Sequence, residues 1–190
     1  MTSCPSGISM LLIFRMLRLK TAAAWSKWYP VGGHRQSDEY PAAGFALAMK
    51  VDVTLLNRTK DNPWQLKTPP GTSAYTMHLV ERDGKPVLVC TVGSTVLFYD
   101  ARCVEDLHAM LTGVGDWVEL GGADEQKPAK EGTVEAWGRS PTNPVGGWYG
   151  LKKGLRGRFG VYVPPLMEAL GLCELEHNPK NNRIRAMRVG

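Results

Sequence analysis

Two dipeptides, Asp83-Gly84 and Gly93-Ser94, constrain the fold of this chain more than any other feature. Asp-Gly suits a type I′ hairpin, because both central residues must take positive φ. A hairpin centred there sets Val80 opposite Val87, His78 opposite Val89 and Met77 opposite Cys90. A tight turn at Gly93-Ser94 then sets Cys90 opposite Leu97 and Val89 opposite Phe98. The two registers agree, so Tyr75 to Asp100 reads as a three-stranded antiparallel meander.

One face of that meander carries Tyr75, Met77, Leu79, Leu88, Cys90, Val92, Leu97 and Tyr99. The other carries Thr76, His78, Val80, Val87, Val89, Thr91, Val96 and Phe98. Neither is polar, whereas a sheet open to water on one side alternates cleanly, so both faces are expected to be covered. A helix can cover one of them. Asp100 suits its N-cap, Val104, Leu107, His108 and Leu111 recur at helical spacing, and Gly113 offers a stop. The other face is left for the C-terminal part or for a second copy, which makes homo-oligomerisation through it an expectation. His78 and His108 read as hydrogen-bonded core residues.

The flanks set the domain expectation. Residues 1–48 lack a sustained period and read as an N-terminal extension, either disordered or an overlong start. Residues 1–37 contain no acid, which also fits an organelle transit peptide. Met10 to Phe14 is apolar but too short to span a bilayer, which takes about 20 residues, so no membrane is expected. Trp64 to Ser73 reads as a Pro/Gly lead-in loop, Asp116 to Leu120 as a short strand, and Gly121 to Lys130 as a charged linker. The expected units are therefore 49–122 and 123–190 within an α+β protein. Cys4, Cys90, Cys103 and Cys173 are far apart with no Cys-x-x-Cys pair, so metal ligation is not indicated. Reduced thiols and a cytoplasmic location are expected.

Charge is uneven. Residues 145–190 hold eight bases and three acids, a net +5, while 49–144 hold ten bases and thirteen acids. A clustered positive field attracts a polyanion, so phosphates are the natural partner. Lys130 to Arg139 reads as a short helix. Trp148, Leu151, Leu155 and Phe159 recur as an apolar helical stripe, although Gly150, Gly154 and Gly157 each cost about 1 kcal/mol in a helix. The alternative there is a glycine-rich basic loop whose amides can approach a phosphate. A further helix starts at Pro164-Pro165, buries Leu166, Met167 and Leu170, and stops at Gly171. A hairpin around Asn178 to Asn181 then sets Glu176 opposite Arg183, Leu175 opposite Ile184 and Glu174 opposite Arg185.

This order, with Leu170-Gly171-Leu172 leading into Arg183-Ile184-Arg185, resembles the winged helix-turn-helix family over the last 60 residues or so. The resemblance implies a last helix in the DNA major groove and a wing on the backbone. The chain departs from it in two respects. Pro164 to Leu170 offers only Glu168 as a charged side chain and no Arg, Asn or Gln to read bases. The hairpin's Arg183 and Arg185 face Glu176 and Glu174, so they can serve the fold. Phosphate contacts are therefore expected from Lys152, Lys153, Arg156, Arg158, Lys180 and Arg188, giving affinity without base discrimination.

The leading functional expectation is non-enzymatic nucleic-acid binding. The competing one is a structural or interaction module whose basic end meets an acidic partner. A small nuclease built on His177 and nearby arginines is the third. Asp124-Glu125 and Glu105-Asp106 read as solvated surface, and no cofactor or catalytic set is indicated.

Overall fold

The computed structural model describes residues 55–187, which all fall within one compact unit. The expectations for 1–48 and for Arg188 lie outside the described residues.

A four-stranded antiparallel sheet forms the first layer, in the order β1 (Trp64–Lys67), β2 (Ala74–Arg82), β3 (Lys85–Val92), β4 (Thr95–Asp100). The meander register is the expected one at every pair named above, including Met77 with Cys90 and Cys90 with Leu97. Asp83 (φ 52°), Gly84 (φ 70°) and Gly93 (φ 56°) supply the positive φ that the two turns require. The stretch read as a lead-in loop adds a strand. Trp64 pairs with Met77 and Lys67 with Ala74, and Pro69-Pro70-Gly71 becomes the turn between. Gly71 N donates to Thr68 O at 2.6 Å, and Thr68 N to Ser73 O at 2.9 Å.

The first face holds the main core: Tyr75, Met77, Leu88, Cys90, Leu97 and Tyr99 are all buried. On the second, His78, Val87 and Val89 are buried and Phe98 is half-buried under the Arg82 guanidinium, 4.6 Å away.

α1 (Cys103–Val114) follows. Asp100 Oδ1 accepts from Arg102 N at 3.0 Å, just ahead of the helix. The stop comes at Gly115, not Gly113: Gly115 takes the left-handed conformation (φ 68°) and its N–H bonds Leu111 O, while Gly113 stays helical. α1 packs on α3 (Phe159–Ala169) and on β7 (Arg183–Ala186), so the element meeting the first face of the sheet is α3. The Tyr162 ring meets Tyr75 edge-on at 5.1 Å, Phe159 meets Tyr99 at 6.0 Å, and Tyr75 Oη donates to Tyr162 O at 2.7 Å.

The segment before α3 corrects three expectations. The helix expected over Lys130 to Arg139 is a single turn, α2 (Val134–Trp137), capped by Thr133 Oγ1 accepting from Ala136 N. Trp148 to Arg158 forms no helix. Leu151 N bonds Phe98 O at 2.8 Å and Asp100 N bonds Tyr149 O at 2.9 Å, so the chain lies along the β4 edge with Leu151 half-exposed. The glycines explain the outcome. They disfavour a helix, and they permit approaches that a side chain would block: a Cβ on Gly157 would lie 2.5 Å from Ala123 O. Finally, α3 begins at Phe159, behind Arg158 in a left-handed conformation, so Pro164 and Pro165 sit inside it and not in its first turn. Its end is a Schellman motif: Leu172 N bonds Met167 O and Gly171 N bonds Glu168 O, with Gly171 at φ 71°.

The second sheet runs β5 (Val118–Glu119), β7, β6 (Cys173–Leu175). Glu174 faces Arg185 and Leu175 faces Ile184, as expected, and Glu176 N bonds Arg183 O. β5 precedes the charged stretch 121–130 yet pairs with β7, Val118 against Ile184. One hydrophobic cluster runs from Leu66 and Tyr75 through Leu107 and Phe159 to Ile184.

Candidate binding site

The charges expected to meet phosphate fare differently from one another. Arg156 donates from Nε and Nη2 to Glu125 Oε1 at 2.9 and 2.6 Å, and its backbone N–H meets Oε2 at 2.9 Å. That clamp holds the Glu125 carboxyl down at about 2. Arg158 Nε meets Asp124 Oδ1 at 2.6 Å, which likewise lowers Asp124. So Asp124-Glu125 is not free solvated surface but the counter-charge to both arginines. The loop carrying it is itself anchored, since Arg139 donates to Lys127 O, Ala123 O and Glu135. The guanidinium groups of Arg139 and Arg156 both lie over the Trp148 ring, 4.4 and 4.6 Å from its centroid.

Lys152, Lys153 and Lys180 are exposed and enter no ion pair among the described residues. Arg183 and Arg185 pair across the hairpin with Glu176 and Glu174, both at 2.6 Å, and both lie over Trp117.

A concavity of about 450 Å³ is formed by these elements. Its walls are the 68–73 turn, the end of β5, the start of α3 and the hairpin tip with Lys180 and Asn181. Lys130, Arg158 and Lys180 line it against one acid, Glu119. Lys130 Nζ is held by Glu119 at 2.5 Å. A second hollow of about 290 Å³ meets it at Val92, Arg158 and Tyr162, and brings Asp124 and Glu125 into its lining.

His177 stands in the loop of the hairpin, two residues past β6. Its Nδ1 is 2.9 Å from Pro69 O and its Nε2 is 3.0 Å from both Glu168 oxygens. These contacts, the Glu168 carboxylate first, raise the histidine above its usual range. Cys173, four residues earlier, does not join it. The thiol is buried, faces Pro164 O, and burial pushes it up to about 12. Among the described residues no group of three His, Cys, Asp or Glu side chains could hold a metal ion. No helix there is long and apolar enough to cross a membrane.

A family profile matches residues 56–187, the same stretch that carries the two sheets and the concavity. The chain belongs to the DUF6855 family, described as a family of unknown function. No curated protein and no solved structure gave a match. The concavity of this DUF6855 chain therefore has to be read from its own residues. Sequence reasoning had selected Arg158 and Lys180 but missed the 68–73 turn, Lys130 and the acidic pair. Nothing local marks Asp124 and Glu125 as partners of arginines more than 30 residues away.

Proposed function

We propose that residues 56–187 form a non-enzymatic binding module that receives an acidic segment of a partner protein in the 450 Å³ concavity. The observation carrying this reading is that Lys130, Arg158 and Lys180, from three separate segments, line one concavity, where Glu119 holds Lys130, Asp124 holds Arg158, and Lys180 enters no ion pair among the described residues. A space of that size suits one or a few side chains. A duplex is too wide to enter it.

The order α1, β5, α2, α3, β6, β7 with strands arranged β5–β7–β6 fits a winged-helix arrangement. In that family the last helix reads the major groove. Here eight of the eleven α3 residues are buried, several against the first sheet, which favours a wing that works beside a covered helix. Pairing of Arg156 and Arg158 with acids also removes half of the basic set around Gly154 from phosphate contact.

The nucleic-acid reading survives on Lys152, Lys153 and Lys180, which are exposed and enter no ion pair among the described residues. Fluorescence anisotropy separates the two. A labelled peptide of alternating Glu and Ser should bind saturably, and Lys180→Glu should weaken it several-fold. Absence of peptide binding would overturn the proposal. Binding of a random duplex, with log K falling against log salt at a slope of about −2.7 for three contacts, would replace it with the nucleic-acid reading.

A further inference from the structure

His177 presents both ring nitrogens to acceptors: Nδ1 to Pro69 O at 2.9 Å, and Nε2 to the Glu168 carboxylate at 3.0 Å. Neutral imidazole has one N–H and one lone pair, so it can satisfy only one of these acceptors and turns its lone pair on the other. Only the imidazolium makes both bonds. On deprotonation the charge-assisted bond to Glu168 is the stronger one to keep, so the Pro69 carbonyl is the acceptor that loses its donor.

Pro69 belongs to the turn 68–73, which forms one wall of the concavity, and His177 links it to the hairpin that forms another. We propose that His177 is a proton-operated latch: as imidazolium it pins the 68–73 turn to α3 and the hairpin, and as neutral imidazole it frees that wall. This rests on the binding reading only for its consequence, tighter capture of an acidic segment when His177 is protonated.

The charged surroundings favour that operation. Glu168 is the carboxylate facing the ring from α3. The 68–73 turn, Thr-Pro-Pro-Gly-Thr-Ser, has no ionisable side chain, and Lys67 before it is exposed. On the hairpin, Glu176 is occupied by Arg183, Lys180 is exposed, and the Cys173 thiol is buried and stays protonated. His177 itself is more than half exposed, at 54 %, so protons reach it freely.

The test needs no ligand. Amide hydrogen exchange of Thr68, Gly71, Thr72 and Ser73 is followed with pH, corrected for intrinsic rates and referenced to β3 amides. The His177 ring is titrated in parallel by nitrogen NMR. Protection of the turn should fall several-fold with the same midpoint as His177, and Glu168→Gln should move both midpoints down together. His177→Gln should abolish the pH dependence while β3 stays protected. Constant protection across the His177 titration would overturn the latch, as would an unchanged profile in His177→Gln. Failure of the acidic peptide to bind, with the exchange result intact, would reject the binding reading and leave the latch standing.

Discussion

Glu135 illustrates how much single residues hold in place. Its side chain is 1 % exposed, Oε2 accepts from Gly160 N at 2.8 Å, and Oε1 pairs with Arg139. Burial raises the carboxyl, and Arg139 and the Gly160 amide pull it back. Removing one member of a buried pair leaves the other charge uncompensated, so Glu135→Ala should cost on the order of 3–5 kcal/mol in urea unfolding. Glu125 is predicted to act through pH. Its carboxyl is depressed from 4.5 to about 2 by Arg156, so its contribution is fully present above its unfolded value and is lost as pH falls towards the folded one. The difference in urea midpoint between the native chain and Glu125→Gln should therefore be constant above about pH 5 and vanish towards pH 2. His177 works in the opposite sense: being raised, it stabilises below its ordinary value and that contribution fades as pH rises through the folded one.

Among the elements, the loop pair 123–125 and 156–158 is the decisive one. Gly157 lies where a Cβ would meet Ala123 O and Glu125 N, both at 2.5 Å, and Arg158 N bonds Ala123 O at 2.9 Å. Gly157→Ala should force the two segments apart, at about 1–3 kcal/mol by urea unfolding. It should also release Glu125, whose carboxyl would titrate closer to 4.5 by carbon NMR. The glycines read as a phosphate cradle thus include one that packs backbone against backbone. The hairpin, by contrast, was legible in advance. Glu174 with Arg185 and Leu175 with Ile184 lie across a short loop, and their register follows from loop length and alternation. The apolar stripe from Trp148 to Phe159 was misleading because the spacing of four side chains says nothing of what the intervening glycines contact. Of that stripe Phe159 is buried while Leu151 is half-exposed, and Tyr149, off it, is fully buried with its hydroxyl donating to Asp106 at 2.7 Å.

Taken as one molecule, residues 55–187 share a core that neither sheet could close alone. Phe159 stacks on Tyr149 at 5.5 Å and meets Tyr99 edge-on, while Trp137 stacks on Tyr149 at 5.3 Å, so one aromatic group joins β4, α2, α3 and the segment between them. Phe159→Ala should cost about 3–5 kcal/mol. Far-UV circular dichroism and tryptophan fluorescence should lose their signals at the same denaturant concentration, because cutting this group loosens both sheets together; separate midpoints would show two independent units. From the sequence came the elements whose causes are local: the two turns of the meander, its strand register, the hairpin pairs and the glycine that ends α3. Turn conformations, side-chain alternation and capping act over a few residues, so they are written in short stretches of chain. Which charges around Gly154 remain free was decided by tertiary structure. Asp124 and Glu125 reach Arg158 and Arg156 because Gly157 lets two distant backbones touch, and a close approach across more than 30 residues leaves no periodic trace in either segment.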